Sequence, residues 1–176
     1  MSPDIPFGPP QIVVLLLAVQ RLAELRVANR NTRRLLAQGG QEVGRAHYPL
    51  FIVLHSAWLA ALFLFIPADA PIVWPLVALL VPLQLARYWV IRTLGPYWTT
   101  RIITLPQAPL VQGGPFRWVR HPNYCVVVAE IATVPLAFGA WHLALIFSIA
   151  NALLLAHRIR VEESALAPRR EAPSRS

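Results

Sequence analysis

Residues 125–157 read CVVVAEIATVPLAFGAWHLALIFSIANALLLAH, two apolar segments that are separated only by Gly139-Ala140. With the residues before them, the segments run from Pro122 to Phe138 and from Trp141 to His157. A helix needs about 20 residues to cross the hydrocarbon of a bilayer, and about 17 is near the lower limit. The short link therefore predicts a tight helical hairpin in a membrane.

Three further apolar segments precede this hairpin, at Pro10–Val27, Tyr48–Ile66 and Pro71–Ile91. The first is charged in its second half, so a signal peptide is the competing interpretation. Asp4 at the start in place of basic residues, and the lack of a small-x-small cleavage motif, argue against it. We predict an all-α integral membrane protein with about five transmembrane helices.

The composition supports this class. Of the 176 residues, 56% are hydrophobic and 14% are charged, which does not suit a soluble domain. All the basic side chains are arginines, and they flank the apolar segments. The net charge of +8 is therefore explained by membrane topology, and no nucleic-acid partner is expected.

The distribution of arginine predicts the orientation. Arginines occur in the loops 27–47 and 92–121 and after His157, whereas the turn 67–70 and Gly139-Ala140 have none. The positive-inside rule then places both long loops and the C-terminus in the cytoplasm and the N-terminus outside. We therefore expect the chain to be surrounded by membrane lipids, in a bacterial inner membrane.

Residues 1–166 are expected to form a single domain, and Ala167–Ser176, rich in proline, serine and arginine, is expected to be disordered.

Aromatic and β-branched residues in Tyr97–Leu105 predict a short strand or a hairpin. The single cysteine, Cys125, excludes an internal disulfide, and the scattered histidines predict no metal site.

Two polar clusters lie at ends of the hairpin helices. The run Arg120–Tyr124 precedes the fourth segment, where Pro122 suits the first turn of a helix and free backbone N–H groups can receive an anion. Arg158, Glu162 and Glu163 follow the fifth segment. If both ends face the same side, the clusters can meet. The alternatives are an interfacial aromatic belt for Trp98, Phe116, Trp118 and Tyr124, and a helix-surface pair for Arg158 and Glu162.

Charged residues also fall within the apolar segments. Glu130 lies about 12 Å into the fourth segment by helical rise. An intramembrane carboxylate indicates a functional residue, and an arginine-paired structural role is the alternative. Arg21 and Glu24 are three residues apart and can pair within the first helix.

These motifs resemble a known family. The run Gly114-Pro115-Phe116-Arg117, then Arg120–Tyr124, and later Glu162–Leu166 are similar to the isoprenylcysteine carboxyl methyltransferase family. Gln20–Leu25, Asn29–Asn31, Gly39–Glu42 and His47–Pro49 resemble its bacterial branch encoded near type III polyketide synthases. Membrane sterol and steroid reductases that use NADPH carry a run similar to Arg120–Tyr124, so such a reductase is the main alternative, followed by a non-catalytic scaffold or a small transporter.

The resemblance implies an integral membrane enzyme that uses S-adenosylmethionine. The acceptor would be a lipophilic, acidic small molecule from the bilayer: an alkylpyrone or alkylresorcinol hydroxyl from a type III polyketide synthase pathway, or an isoprenylcysteine-like carboxylate. Arg120 would hold the acceptor. Glu130 has no counterpart in the eukaryotic enzymes of the family, and it is the second catalytic candidate because of its place inside an apolar segment. The cofactor-binding residues would be His121, Pro122, Tyr124, Arg158, Glu162 and Glu163. One departure is Val126, where many relatives have glycine.

Overall fold

Five α-helices dominate the computed structural model, which describes residues 7–106, 108 and 110–171. They are α1 (Pro9–Ala37), α2 (Tyr48–Phe65), α3 (Trp74–Leu94), α4 (Pro122–Leu136) and α5 (Trp141–Glu171). Two three-residue strands, β1 (Gln41–Val43) and β2 (Ile102–Thr104), lie in the two long loops. The predicted class, an all-α integral membrane protein, is confirmed.

Three of the described helical segments are long and apolar enough to cross a membrane: Arg45–Phe65, Trp74–Tyr97 and Trp141–Ala167. Helix α4 is apolar but shorter, with 15 residues. Helix α1 has 29 residues, of which the second half is polar. The apolar segments thus all become helices, and five membrane crossings remain a prediction.

The hairpin predicted for the last two segments is present as α4 and α5. Helix α4 begins at Pro122, as expected for a proline whose missing N–H would have no partner in the first turn. Gly139 lies between the helices with a φ of 73°, a left-handed conformation that glycine adopts without a Cβ clash. The chain therefore reverses within a few residues, and α5 packs along α4.

The apolar core and the apolar surface occupy different faces of the same helices. Trp58 and Leu62 of α2, with Ile131 and Val134 of α4, are buried in the main core cluster. Many other large apolar side chains are exposed: Leu16, Val53, Leu64, Phe65 and Leu153 are among them. Apolar residues on both faces are expected where the outside of the bundle contacts lipid rather than water.

The strand predicted in Tyr97–Leu105 is present as β2, but it does not form a local hairpin. Its antiparallel partner is β1 from the other long loop, with Gln41 opposite Thr104 and Val43 opposite Ile102. Arg101, just before β2, also forms an ion pair with Glu42 of β1, with N–O distances of 3.1 Å. The two loops are therefore joined across one end of the bundle.

Helix α5 is longer than its apolar segment. It continues from His157 to Glu171, so the expectation of disorder from Ala167 onward is wrong for residues 167–171, because the helix continues past the apolar residues. The remainder of that segment, residues 172–176, lies outside the described residues, as does Asp4. The extension carries Arg158, Glu162 and Glu163 on a regular helix.

Candidate functional site

A cavity of about 720 Å³ lies at the end of the bundle where β1 and β2 pair. Its walls come from all five helices and from the loop between α3 and α4. Most of the lining from the start of α4 and the end of α5 is polar, whereas α1 and α2 contribute apolar side chains together with Arg21, Glu24 and His55. The residues that line the cavity include Arg21, Leu22, Glu24, Phe51, Ile52, Arg87, Thr100, Arg120, His121, Pro122, Asn123, Tyr124, Arg158 and Glu162.

The start of α4 forms one wall of this cavity. His121 is the residue before the helix, and its carbonyl accepts hydrogen bonds from the backbone N–H groups of Tyr124 and Cys125. The imidazole of His121 stacks on the ring of Tyr124, with 5.2 Å between centroids and 15° between planes. Arg120, by contrast, is 76% exposed, at the rim. The predicted residues Arg120, His121, Pro122 and Tyr124 thus all line one cavity.

Tyr124 brings the two sequence motifs together. Its hydroxyl donates a hydrogen bond to the Glu162 carboxylate and accepts one of 2.8 Å from Nε of Arg158. Nη2 of Arg158 donates to the carbonyl of Thr100, also at 2.8 Å. The start of α4, the end of α5 and the preceding loop are therefore held together by one hydrogen-bond chain.

Arg158 is a buried cation, 7% exposed, on the cavity wall. The direct pair with Glu162 that helix spacing allows is not formed, and no carboxylate of the described residues lies within ion-pair distance of this guanidinium. The rings of Phe51 and Tyr124 lie 5.1 and 5.8 Å from its Cζ. Its charge is thus surrounded by aromatic faces and neutral acceptors.

The two adjacent carboxylates of α5 occupy different positions. Glu162 lines the cavity, and one of its oxygens lies 3.8 Å from Nδ1 of His121. Glu163 is 39% exposed and lies outside the cavity wall, 3.5 Å from Nε2 of His121 and 3.7 Å from Nη1 of Arg120. Because neighbouring helix residues point about 100° apart, the two carboxylates have different surroundings.

Glu130 lies behind the cavity rather than on its wall. It is 2% exposed, and its carboxylate contacts Arg21 at 2.5 Å, Gln84 at 2.6 Å and Arg87 at 3.6 Å. The predicted pair of Arg21 with Glu24 is present at 2.9 Å, and Arg87 also binds Glu24, at 2.6 Å. Two arginines and two glutamates therefore neutralise each other between α1, α3 and α4, as the alternative interpretation of Glu130 requires.

Sequence reasoning missed Arg87, which is buried on α3 and lines the cavity. Its Nη1 lies 3.4 Å from Oδ1 of Asn123 and so connects the charged network to the start of α4. An arginine inside an apolar segment was a usable signal, because such a charge needs a partner. The carbonyl of Thr100 carried no signal, since every residue has one.

The aromatic-belt alternative fits one residue well. Trp118 is 72% exposed and contacts the edge of Trp89. Trp98 is instead buried against Ala28 and Val90, so the belt interpretation is wrong for Trp98.

Helices long and apolar enough to cross a membrane, packed around a cavity at one end of the bundle, define an integral membrane protein. The chain belongs to the isoprenylcysteine carboxyl methyltransferase family, a family of membrane methyltransferases, whose model matches residues 76–168. It is 40% identical over 159 residues to the uncharacterized protein YpbQ of Bacillus subtilis (strain 168), covering 88% of this chain and 95% of that protein.

An uncharacterized protein of Haemophilus influenzae is 29% identical over 154 residues, covering 83% of this chain and 88% of its own length. No solved structure matches the chain. The residues that match the family model include α4, most of α3 and the site motifs on α5. The cavity walls contributed by α1 and α2 lie outside that match.

Proposed function

We propose that this chain is an S-adenosylmethionine-dependent O-methyltransferase that acts on a lipophilic, acidic acceptor taken from the membrane. The observation that carries the proposal is Arg158, a buried cation on the cavity wall with no carboxylate of the described residues as its partner. A buried charge without a direct ion-pair partner is costly, so this position favours a ligand that brings an anionic group.

The donor set beside Arg158 suits the amino-acid end of S-adenosylmethionine, a cofactor used by methyltransferases of this family. The guanidinium of Arg158 would hold the carboxylate, and the Glu162 carboxylate would accept from the ammonium group. The rings of Phe51 and Tyr124 lie against the Arg158 guanidinium and would hold it in position for that carboxylate. When bound, the cofactor supplies a methyl group that is already activated by a sulfonium.

The acceptor needs little acid–base chemistry from the protein. A carboxylate or an acidic enol is ionised at neutral pH, so holding it in place and excluding water supply most of the catalysis. The guanidinium of Arg120 lies exposed at the rim and would hold such an anion. Glu130 is saturated by its own partners, which favours a structural role for it.

The acceptor's apolar tail has a path to the bilayer. Leu22 of α1 and Ile52 of α2 line the cavity, and both are at least half exposed. A chain between them would leave the polar head inside and the tail in lipid. We therefore propose an alkylpyrone or alkylresorcinol as the acceptor, with an isoprenylcysteine-like carboxylate as the second candidate.

We further propose that the cavity faces the cytoplasm of a bacterial inner membrane, with the N-terminus outside. Arg30 of α1 and the loop residues Arg45, Arg101 and Arg117 lie toward this end, whereas the turn 67–70 and Gly139-Ala140 at the other end carry no arginine. This distribution follows the positive-inside rule.

The cofactor assignment predicts a selective thermal shift. S-adenosylmethionine should raise the melting temperature of the purified protein in detergent, and NADPH should not. Glu162→Gln should weaken cofactor binding about tenfold or more, which is about 1.4 kcal/mol, because it removes the charge inside the cavity. Glu163→Gln, outside the wall, should weaken binding less, and Cys125→Ala is the control. Stabilisation by NADPH alone would favour a reductase.

The acceptor assignment predicts a dependence on chain length. Membranes with the protein and labelled S-adenosylmethionine would be given alkylpyrones of increasing length and farnesylated cysteine analogues. Each further methylene that is buried contributes about 0.8 kcal/mol, so apparent affinity for the pyrones should rise until the tail fills its groove. Label on the cysteine series alone would overturn the acceptor choice and leave the methyltransferase assignment in place.

A further inference from the structure

Helix α1 carries two polar faces that point in opposite directions. The inner face carries Arg21, Glu24 and Asn31, whose side chains all bind other parts of the protein. At about 100° per residue, Arg26, Arg30 and Arg33 fall on the opposite side of the helix. All three are exposed. The inner face is explained by the charged network, whereas the outer face has no role in the fold.

The outer arginines form a distinct surface, here called the arginine stripe: Arg26, Asn29, Arg30 and Arg33. Among the described residues, these four line a shallow, open groove of about 340 Å³. Over the described part of the chain, none of the three guanidinium groups pairs with a carboxylate. Several guanidinium groups without a carboxylate partner, close together on one helix face, provide the kind of donors that phosphate accepts from.

The position of the stripe along α1 indicates where its ligand lies. The same helix face continues toward the N-terminus as an exposed apolar row of Ile12, Leu15, Val19 and Leu22. At about 1.5 Å of rise per residue, the stripe begins about 6 Å beyond Leu22 and extends for about 10 Å. On the inner face, Asn31 binds the carbonyls of Gly95 and Trp98, just after α3 ends. The stripe thus lies at the depth where hydrocarbon gives way to headgroups.

We propose that the arginine stripe binds the phosphate of an anionic phospholipid whose acyl chains lie along the apolar row. The continuity of the two surfaces favours a lipid over a soluble acidic protein or a nucleic acid, neither of which would use the apolar row. Juxtamembrane arginines are attracted to anionic lipid at this depth. This inference does not rest on the methyltransferase assignment, because none of the four stripe residues lines the cavity.

Native mass spectrometry in detergent tests the proposal, with phosphatidylglycerol and phosphatidylcholine of identical acyl chains added to the full-length protein. The wild type should retain phosphatidylglycerol in preference to phosphatidylcholine. Replacing Arg26, Arg30 and Arg33 together by glutamine should lower that preference by about tenfold or more. The matched control replaces three other exposed arginines by glutamine, Arg92, Arg117 and Arg160, and it should keep the preference, although the net charge falls equally.

Equal loss in both triple variants would attribute lipid retention to net charge and would overturn the site. Retention of phosphatidylglycerol by the stripe variant at the wild-type level would also overturn the proposed lipid site. Inorganic phosphate added in excess should not displace the lipid, because free phosphate lacks the acyl chains. Displacement by phosphate would mean that the groove recognises a soluble anion instead. Thermal unfolding of both variants verifies that they are folded.

Discussion

Replacing Glu130 by alanine is expected to destabilise the folded protein by about 3–5 kcal/mol, the usual cost of removing one partner from a buried ion pair. The carboxylate of Glu130 is 2% exposed and binds Arg21, Gln84 and Arg87. Without it, two arginines share the single carboxylate of Glu24. The melting temperature in detergent measures the loss.

Two variants separate charge from packing at this position. Glu130→Gln keeps the size and part of the hydrogen bonding but not the charge, and should destabilise nearly as much. Thr133→Ala changes another buried polar residue of α4 without touching the charged network, and should cost much less. If Glu130→Ala kept the wild-type melting temperature but abolished methyl transfer, the structural role would be refuted and the catalytic prediction would stand.

Replacing Arg158 by methionine is expected to lower the affinity for S-adenosylmethionine by about 10- to 150-fold, because a hydrogen bond to a charged group contributes about 1.5–3 kcal/mol. Methionine keeps the side chain long and apolar, but it cannot pair with a carboxylate. Isothermal titration of the detergent-solubilised protein with the cofactor measures the change. This effect is expected to exceed that of any single change at the rim.

Arg160→Met is the matched control for this prediction, because Arg160 is an exposed arginine of the same helix two residues further on. It should leave the affinity unchanged. Arg158→Lys should give an intermediate loss, since the ammonium keeps the charge but cannot donate to Tyr124 and Thr100 in the same geometry. Unchanged affinity in a folded Arg158→Met protein would remove Arg158 from the cofactor site.

Much of the architecture follows from local sequence. Apolar runs of sufficient length became helices because a bilayer leaves no other way to satisfy the backbone hydrogen bonds. Pro122 fixed the start of α4, and Gly139 permitted the reversal into α5. The meeting of the motifs at Tyr124 and Glu162 then followed, since an antiparallel hairpin brings the start of one helix to the end of the next.

The sequence alone thus determined the class, the hairpin and the cluster that contains Arg158. The tertiary structure decided the rest: that β2 pairs with β1 of a distant loop, that Glu162 rather than Glu163 faces the cavity, and that Arg87 completes the pairing of Glu130. Local patterns specify period and length, whereas these partners depend on how each helix is rotated and how deeply it sits against its neighbours. That is set by packing between segments far apart in sequence, which a one-dimensional pattern does not encode.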